Sequence, residues 1–104
     1  MKANFNLKGL MAAVCMLLSV SAFAQQHTVT GTVVDADNGQ PLVGVAVMVS
    51  TGGGVVTDAN GSYAVSASDN ATLTFNTLGY LDVVETVNGR SVINVKMTID
   101  SEQL

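Results

Sequence analysis

The stretch "GVVTDANGSY", Gly54–Tyr63, can be read in two ways, and the choice decides the fold. Asp58, Asn60 and Gly61 lie close enough together to be part of a calcium loop, or they form a turn between two strands. An EF-hand-like loop needs oxygen ligands at positions 1, 3 and 5, a glycine at 6 and a bidentate glutamate at 12. Counted from Asp58, position 5 is Ser62, position 6 is Tyr63 and position 12 is Asp69. The related stretch "DADNGQ", beginning at Asp35, has its glycine at position 5 and Ala46 at position 12. Neither has the order of a calcium loop. The residues suit a turn in which Asp58 caps backbone N–H groups and Asn60-Gly61 take left-handed φ. An irregular calcium site, built from loop oxygens without that order, is the open alternative. On the turn reading, "VVTD" and "SYAVS" flank Ala59-Asn60-Gly61 as a hairpin, and Tyr63 is the first inward residue after it.

The rest of the chain extends this pattern in both directions. Thr28–Asp35 places Val29, Gly31 and Val33 on one face, with threonines largely on the other. Period two with β-branched residues reads as a strand. Asn38-Gly39 breaks it with a turn dipeptide, and Pro41 belongs at a strand start because it cannot donate to a ladder. Leu42–Ser50 puts Val43, Val45, Val47 and Val49 on one face and Gly44, Ala46 and Met48 on the other, which predicts a central strand covered on both sides. Ala71–Thr77 points Ala71, Leu73 and Phe75 inward. Leu81–Val87 follows, then a second hairpin turn at Asn88-Gly89, then Ser91–Ile99 with Ile93, Val95 and Met97 on one face. Seven short strands with frequent turn signals, and no amphipathic helix after Ala24, predict an all-β sandwich.

The segment from Met1 to Ala24 is expected to be removed. Lys2 and Lys8 precede an apolar run from Leu10 to Ala24 that ends in Ala22-Phe23-Ala24, the layout of a secretory signal peptide. A membrane anchor needs about 20 apolar residues, and this run is shorter and contains Ser19 and Ser21. Lipoprotein processing at Cys15 fits poorly, because Val14 stands where a small residue is wanted. Cleavage after Ala24 leaves a chain that starts at Gln25 and has no cysteine. It carries Arg90 and Lys96 against eight acids, a net charge of −6. That charge argues against nucleic acid and against anionic lipid surfaces. With no disulfide, packing alone must hold so small a domain together.

No catalytic, cofactor-binding or metal-binding residue is assigned. The remaining chain has one histidine, His27, in a lead-in outside the core, so neither a zinc site nor a serine triad can be assembled. Asp82 and Glu85, three apart on a strand, point to opposite faces and cannot act as a glycosidase pair. Thr51–Gly54 lacks the Gly-Lys-Ser/Thr of a phosphate loop. With no tryptophan, and only Tyr63, Phe75 and Tyr80 as aromatics beyond Ala24, a sugar-stacking platform is poorly supported.

The fragments G-x-V-x-D (Gly31–Asp35), G-x-P-L-x-G-V-x-V (Gly39–Val47), T-D-x-x-G-x-Y (Thr57–Tyr63) and G-Y (Gly79-Tyr80) occur in this order. Together they resemble the carboxypeptidase regulatory-like domain, a transthyretin-like β-sandwich, in the version found at the N-terminus of SusC-like TonB-dependent outer-membrane receptors of Bacteroidetes. The resemblance implies a seven-stranded Greek-key sandwich over residues 25–99, after a signal peptide helix at 1–24 and before the start of a linker at 100–104. It implies no peptidase chemistry and no cofactor. It further implies an exported, periplasmic module of a receptor for nutrient uptake. Its partners would be the receptor plug and barrel, a SusD-like lipoprotein or the TonB machinery, with no membrane insertion by the fragment itself. In such receptors a TonB-interacting segment, a plug and a barrel follow, so the chain is expected to be the head of a longer reading frame. The alternatives are a free-standing secreted or surface domain that binds carbohydrate or protein, and an accessory domain of an enzyme.

Overall fold

The computed structural model describes residues 26–103; the signal peptide expected at 1–24 lies outside the described residues. Seven strands run in order: β1 (His27–Asp35), β2 (Ala46–Val49), β3 (Gly54–Val56), β4 (Ser62–Ala67), β5 (Thr72–Asn76), β6 (Val83–Thr86) and β7 (Val95–Met97). A 3₁₀ turn, Ser101–Gln103, follows them. The strands form two sheets, ordered β4-β1-β7 and β3-β2-β5-β6. The chain passes between the sheets four times, and β7 ends parallel to β1 while the other strand pairs are antiparallel. The all-β sandwich expected from the alternation is the architecture found.

The core is where the period-two residues of both sheets meet. Val29, Val33, Tyr63, Val65, Ala67, Val95 and Met97 come from one sheet, and Val47, Val49, Leu73 and Phe75 from the other. Each buried aliphatic or aromatic side chain of this size contributes about 1.5–3 kcal/mol relative to exposure. The Tyr63 and Phe75 rings close the centre edge to face, centroids 5.4 Å apart with planes at 73°. Both lie on the inward phase expected for them.

Several local expectations are corrected. The second strand begins at Ala46, not Leu42, because Gly44 takes φ +77° and breaks the extended run; Val43 is left exposed. This strand is central in its sheet but covered on one face only, since Met48 is 53% exposed. Neither Ala59-Asn60-Gly61 nor Asn88-Gly89 closes a hairpin, because β3 and β4, like β6 and β7, lie in different sheets. Left-handed φ is shared by both residues at Asn88-Gly89, but at the other two Asn-Gly pairs only Gly39 and Gly61 adopt it. His27, expected in a lead-in, opens β1.

Candidate functional site

The four sequence fragments are far apart in the chain, yet the fold brings them together at one end of β1. Thr57–Tyr63 supplies most of the contacts. Thr57 is 2% exposed, and its Oγ1 donates to the Leu42 carbonyl at 2.6 Å and accepts the Val45 N–H at 3.0 Å. It thereby fastens the irregular lead into β2. Asp58 Oδ1 accepts the N–H groups of Asn60 and Ser62, both at 2.9 Å, which is the cap expected of it. Gly61 takes φ +74°, and a Cβ there would lie 2.6 Å from the Val33 carbonyl oxygen and 3.1 Å from Pro41 Cβ. The Tyr63 hydroxyl, buried with its ring, donates to the Ile93 carbonyl at 2.6 Å. Burial pushes the Tyr63 phenol up to about 12.

The other fragments join the same cluster. A Cβ on Gly31 would lie 1.9 Å from the Ile93 carbonyl oxygen, so only glycine lets β1 pass that close. Val33 accepts the Leu42 N–H, and Val34 bridges Pro41. Asp35 is 4% exposed, but its carboxylate is well partnered. Oδ2 accepts the Tyr80 hydroxyl at 2.7 Å, and Oδ1 accepts the N–H groups of Asp37 at 2.8 Å and Asn38 at 3.3 Å. The Tyr80 hydroxyl, followed by the Asp37 N–H, holds the Asp35 carboxyl below its ordinary value, against the opposing effect of burial. The same hydrogen bond pushes the Tyr80 phenol up.

This Asp35–Tyr80 pair is the main feature that the sequence did not reveal. The partners are 45 residues apart, and nothing local to either announces the other. The roles of Thr57 and Gly31 also went unassigned. The only hint was that these residues recur in the fragments that carry the family resemblance.

The chemical capacity of the cluster is small. A carboxylate that already accepts three hydrogen bonds from its own chain is committed to the fold. His27 Nδ1 does face Asp69 Oδ1, at 3.4 Å. Its Nε2, however, is held by the Arg90 carbonyl at 3.0 Å, so it is not presented to a nucleophile as a triad requires. Asp82 Oδ1 accepts a hydrogen bond from Asn76, and Glu85 pairs with Arg90 at 3.0 Å. Among the described residues no three His, Cys, Asp or Glu side chains are grouped to hold a metal ion.

Fold and cluster together define a small β-sandwich module whose signature residues bind one another. The chain belongs to the CarboxypepD_reg-like domain family, whose model matches residues 29–104. It is 32% identical over 105 residues to TonB-dependent receptor P3 of Formosa agariphila, an alignment covering 99% of this chain and 10% of that protein. It is 38% identical over 81 residues to TonB-dependent receptor SusC of Bacteroides thetaiotaomicron, covering 76% of this chain and 8% of the receptor. The chain thus spans about a tenth of the length of the curated relatives it matches.

Proposed function

We propose that this chain is a non-enzymatic module of a SusC-type TonB-dependent receptor, exported by the leader at 1–24 and held on the periplasmic side of the outer membrane. The sandwich would occupy residues 25–99, with a linker beginning at 100–104. Its task there is protein contact during nutrient uptake, with the receptor's own plug and barrel, a SusD-like lipoprotein or the TonB machinery as candidate partners. The observation that carries this reading is the alignment of 99% and 76% of the chain with about a tenth of each of two TonB-dependent receptors. The self-partnered cluster supports the non-enzymatic part, because its carboxylates and hydroxyls already serve the fold. Among the described residues no helix is long and apolar enough to cross a membrane. The barrel of such a receptor would have to be encoded elsewhere in the same reading frame. Sequencing the genomic DNA beyond the last codon tests this. In-frame continuation into a plug and then a pattern of alternating strands is the expected result. A stop codon followed by an unrelated gene would overturn the receptor reading and favour a free-standing binding domain.

A further inference from the structure

The sandwich has four edge strands, and they are not equally guarded. In β6, the ladder bond from the Val87 N–H to the Ala71 carbonyl fixes the alternation, so Val84 and Thr86 turn their backbone groups outward. Arg90 covers that edge, its guanidinium donating to the Thr86 and Val87 carbonyls and pairing with Glu85. In β7, Lys96 is exposed, and the 79–81 segment lies against the strand's end through the Leu81 N–H to the Thr98 carbonyl and the Tyr80–Ile99 bridge. In β4, Asp58 takes both backbone groups of Ser62, so this edge is covered at its start, while Ala64 and Ser66 remain outward and carry no charge. Charge and coverage of this kind are how sheets prevent unwanted pairing.

The β3 edge has no such guard. Bonds from the Thr57 N–H to Val45 and from the Val49 N–H to Gly53 bracket the strand, so Val55 faces β2 while Gly54 and Val56 point their N–H and C=O groups outward. No charged side chain lies on the strand, and Val56 is 66% exposed. An open apolar groove formed by Ala46, Met48, Gly53, Gly54, Val55 and Val56 borders it on the outer face. A second groove, between β3 and β4, is lined by Val55, Val56, Asp58, Ser62, Tyr63 and Ala64. There the exposed Asp58 carboxylate uses Oδ1 for its turn, which leaves Oδ2 outside the turn's own bonds.

We propose that the β3 edge is a strand-addition site for an extended, positively charged segment of a protein partner. Backbone pairing would run along Gly54–Val56, alternate side chains would enter the two grooves, and a lysine or arginine would meet Asp58. The charge of the occupant follows from the field: residues 26–103 carry eight acids against Arg90 and Lys96, both of which belong to the opposite, guarded edges. A second copy of this chain is disfavoured by the same net charge of −6 and by the small area a three-residue strand can bury.

This inference rests on the protein-contact reading above only in taking the module as a contact element. Failure of the edge test leaves the reading-frame test unaffected, and a stop codon would remove the receptor without altering the edge.

The test is titration of the isotopically labelled full chain with a short peptide of alternating lysine and valine. A peptide of alternating glutamate and valine serves as the comparison. The expected result is hydrogen-exchange protection confined to the Gly54 and Val56 amides with the lysine peptide only, weakened by added salt. Val56→Lys should lower the affinity about tenfold or more, and Val84→Lys, on the guarded edge, should leave it unchanged. Both sites are exposed, so both variants should fold. Equal binding of the two peptides, protection at Ala64 and Ser66 instead, self-pairing without peptide, or no protection at all would each overturn the proposal.

Discussion

Asp35 shows how the signature residues act. Its folded pKa lies below the ordinary 3.8, so the stability it contributes is present in full above that value. That contribution is lost as pH falls through the lowered pKa. Tyr80 has the opposite sign: its folded pKa lies above 10.0, so its contribution is complete below 10.0 and is lost as pH rises through the raised value. Replacing Tyr80 with phenylalanine removes the largest cause of the Asp35 shift and leaves the Asp37 and Asn38 N–H groups. The Asp35 midpoint, followed by carboxyl NMR, should then move up towards 3.8, and the share of acid destabilisation that Asp35 contributes should shrink. An unchanged midpoint would mean that the hydroxyl does not hold the carboxylate. Thr57 offers a second test. Valine has nearly its shape but neither hydrogen bond, so Thr57→Val strands the buried Val45 N–H and the Leu42 carbonyl. Denaturant unfolding should show a loss of about 1–3 kcal/mol.

Glycine geometry decides the corresponding test at the level of the turn and strand. Gly39 and Gly61 share almost the same φ, +73° and +74°, but a Cβ at Gly39 meets nothing within 4 Å whereas one at Gly61 meets Val33 and Pro41. Gly39→Ala should therefore cost about 1–2 kcal/mol, the left-handed penalty alone. Gly61→Ala should cost clearly more, because β4 must also move away from β1. Equal melting points for the two variants would contradict the close approach. Phe75→Ala, which empties a fully buried position of β5, should cost about 3–5 kcal/mol. That is a large share of the stability of a domain this size, at roughly 0.05–0.15 kcal/mol per residue. All seven strands were legible, β1, β4, β5 and β7 through alternation of apolar and polar residues, which is a local signal, and β3 only as the flank of a turn. The sheet to which each strand belongs was not. A turn dipeptide such as Asn88-Gly89 reverses the chain equally well between two strands of one sheet or from one sheet to the other. The start of β2 was misplaced because valines continue through Gly44, and periodicity alone does not show that this glycine leaves the extended region. The exposure of Met48 was hidden for a related reason: a run apolar on both faces looks buried on both.

Across the whole molecule, residues that resemble a ligand loop hold two sheets together. The fold explains why the candidate cluster was only partly legible. Asp58 and Gly61 announce a turn locally, but Asp35 and Tyr80 become partners only after the chain has crossed between the sheets several times. Thermal melts in calcium and in chelator should coincide, since Asp58 already serves its own turn and Asp35 its own loop. A ligand held at 100 times its dissociation constant would add about 2.7 kcal/mol, which a melt would register as a clear rise in midpoint. The proposed function makes this sandwich one module of a much larger envelope receptor. An antibody raised against the described residues, applied to fractionated cells, tests it most directly. The expected result is a band about ten times the mass of this chain, in the outer-membrane fraction and shielded from protease added outside intact cells. A band near 10.7 kDa or below, released into the medium, would contradict it.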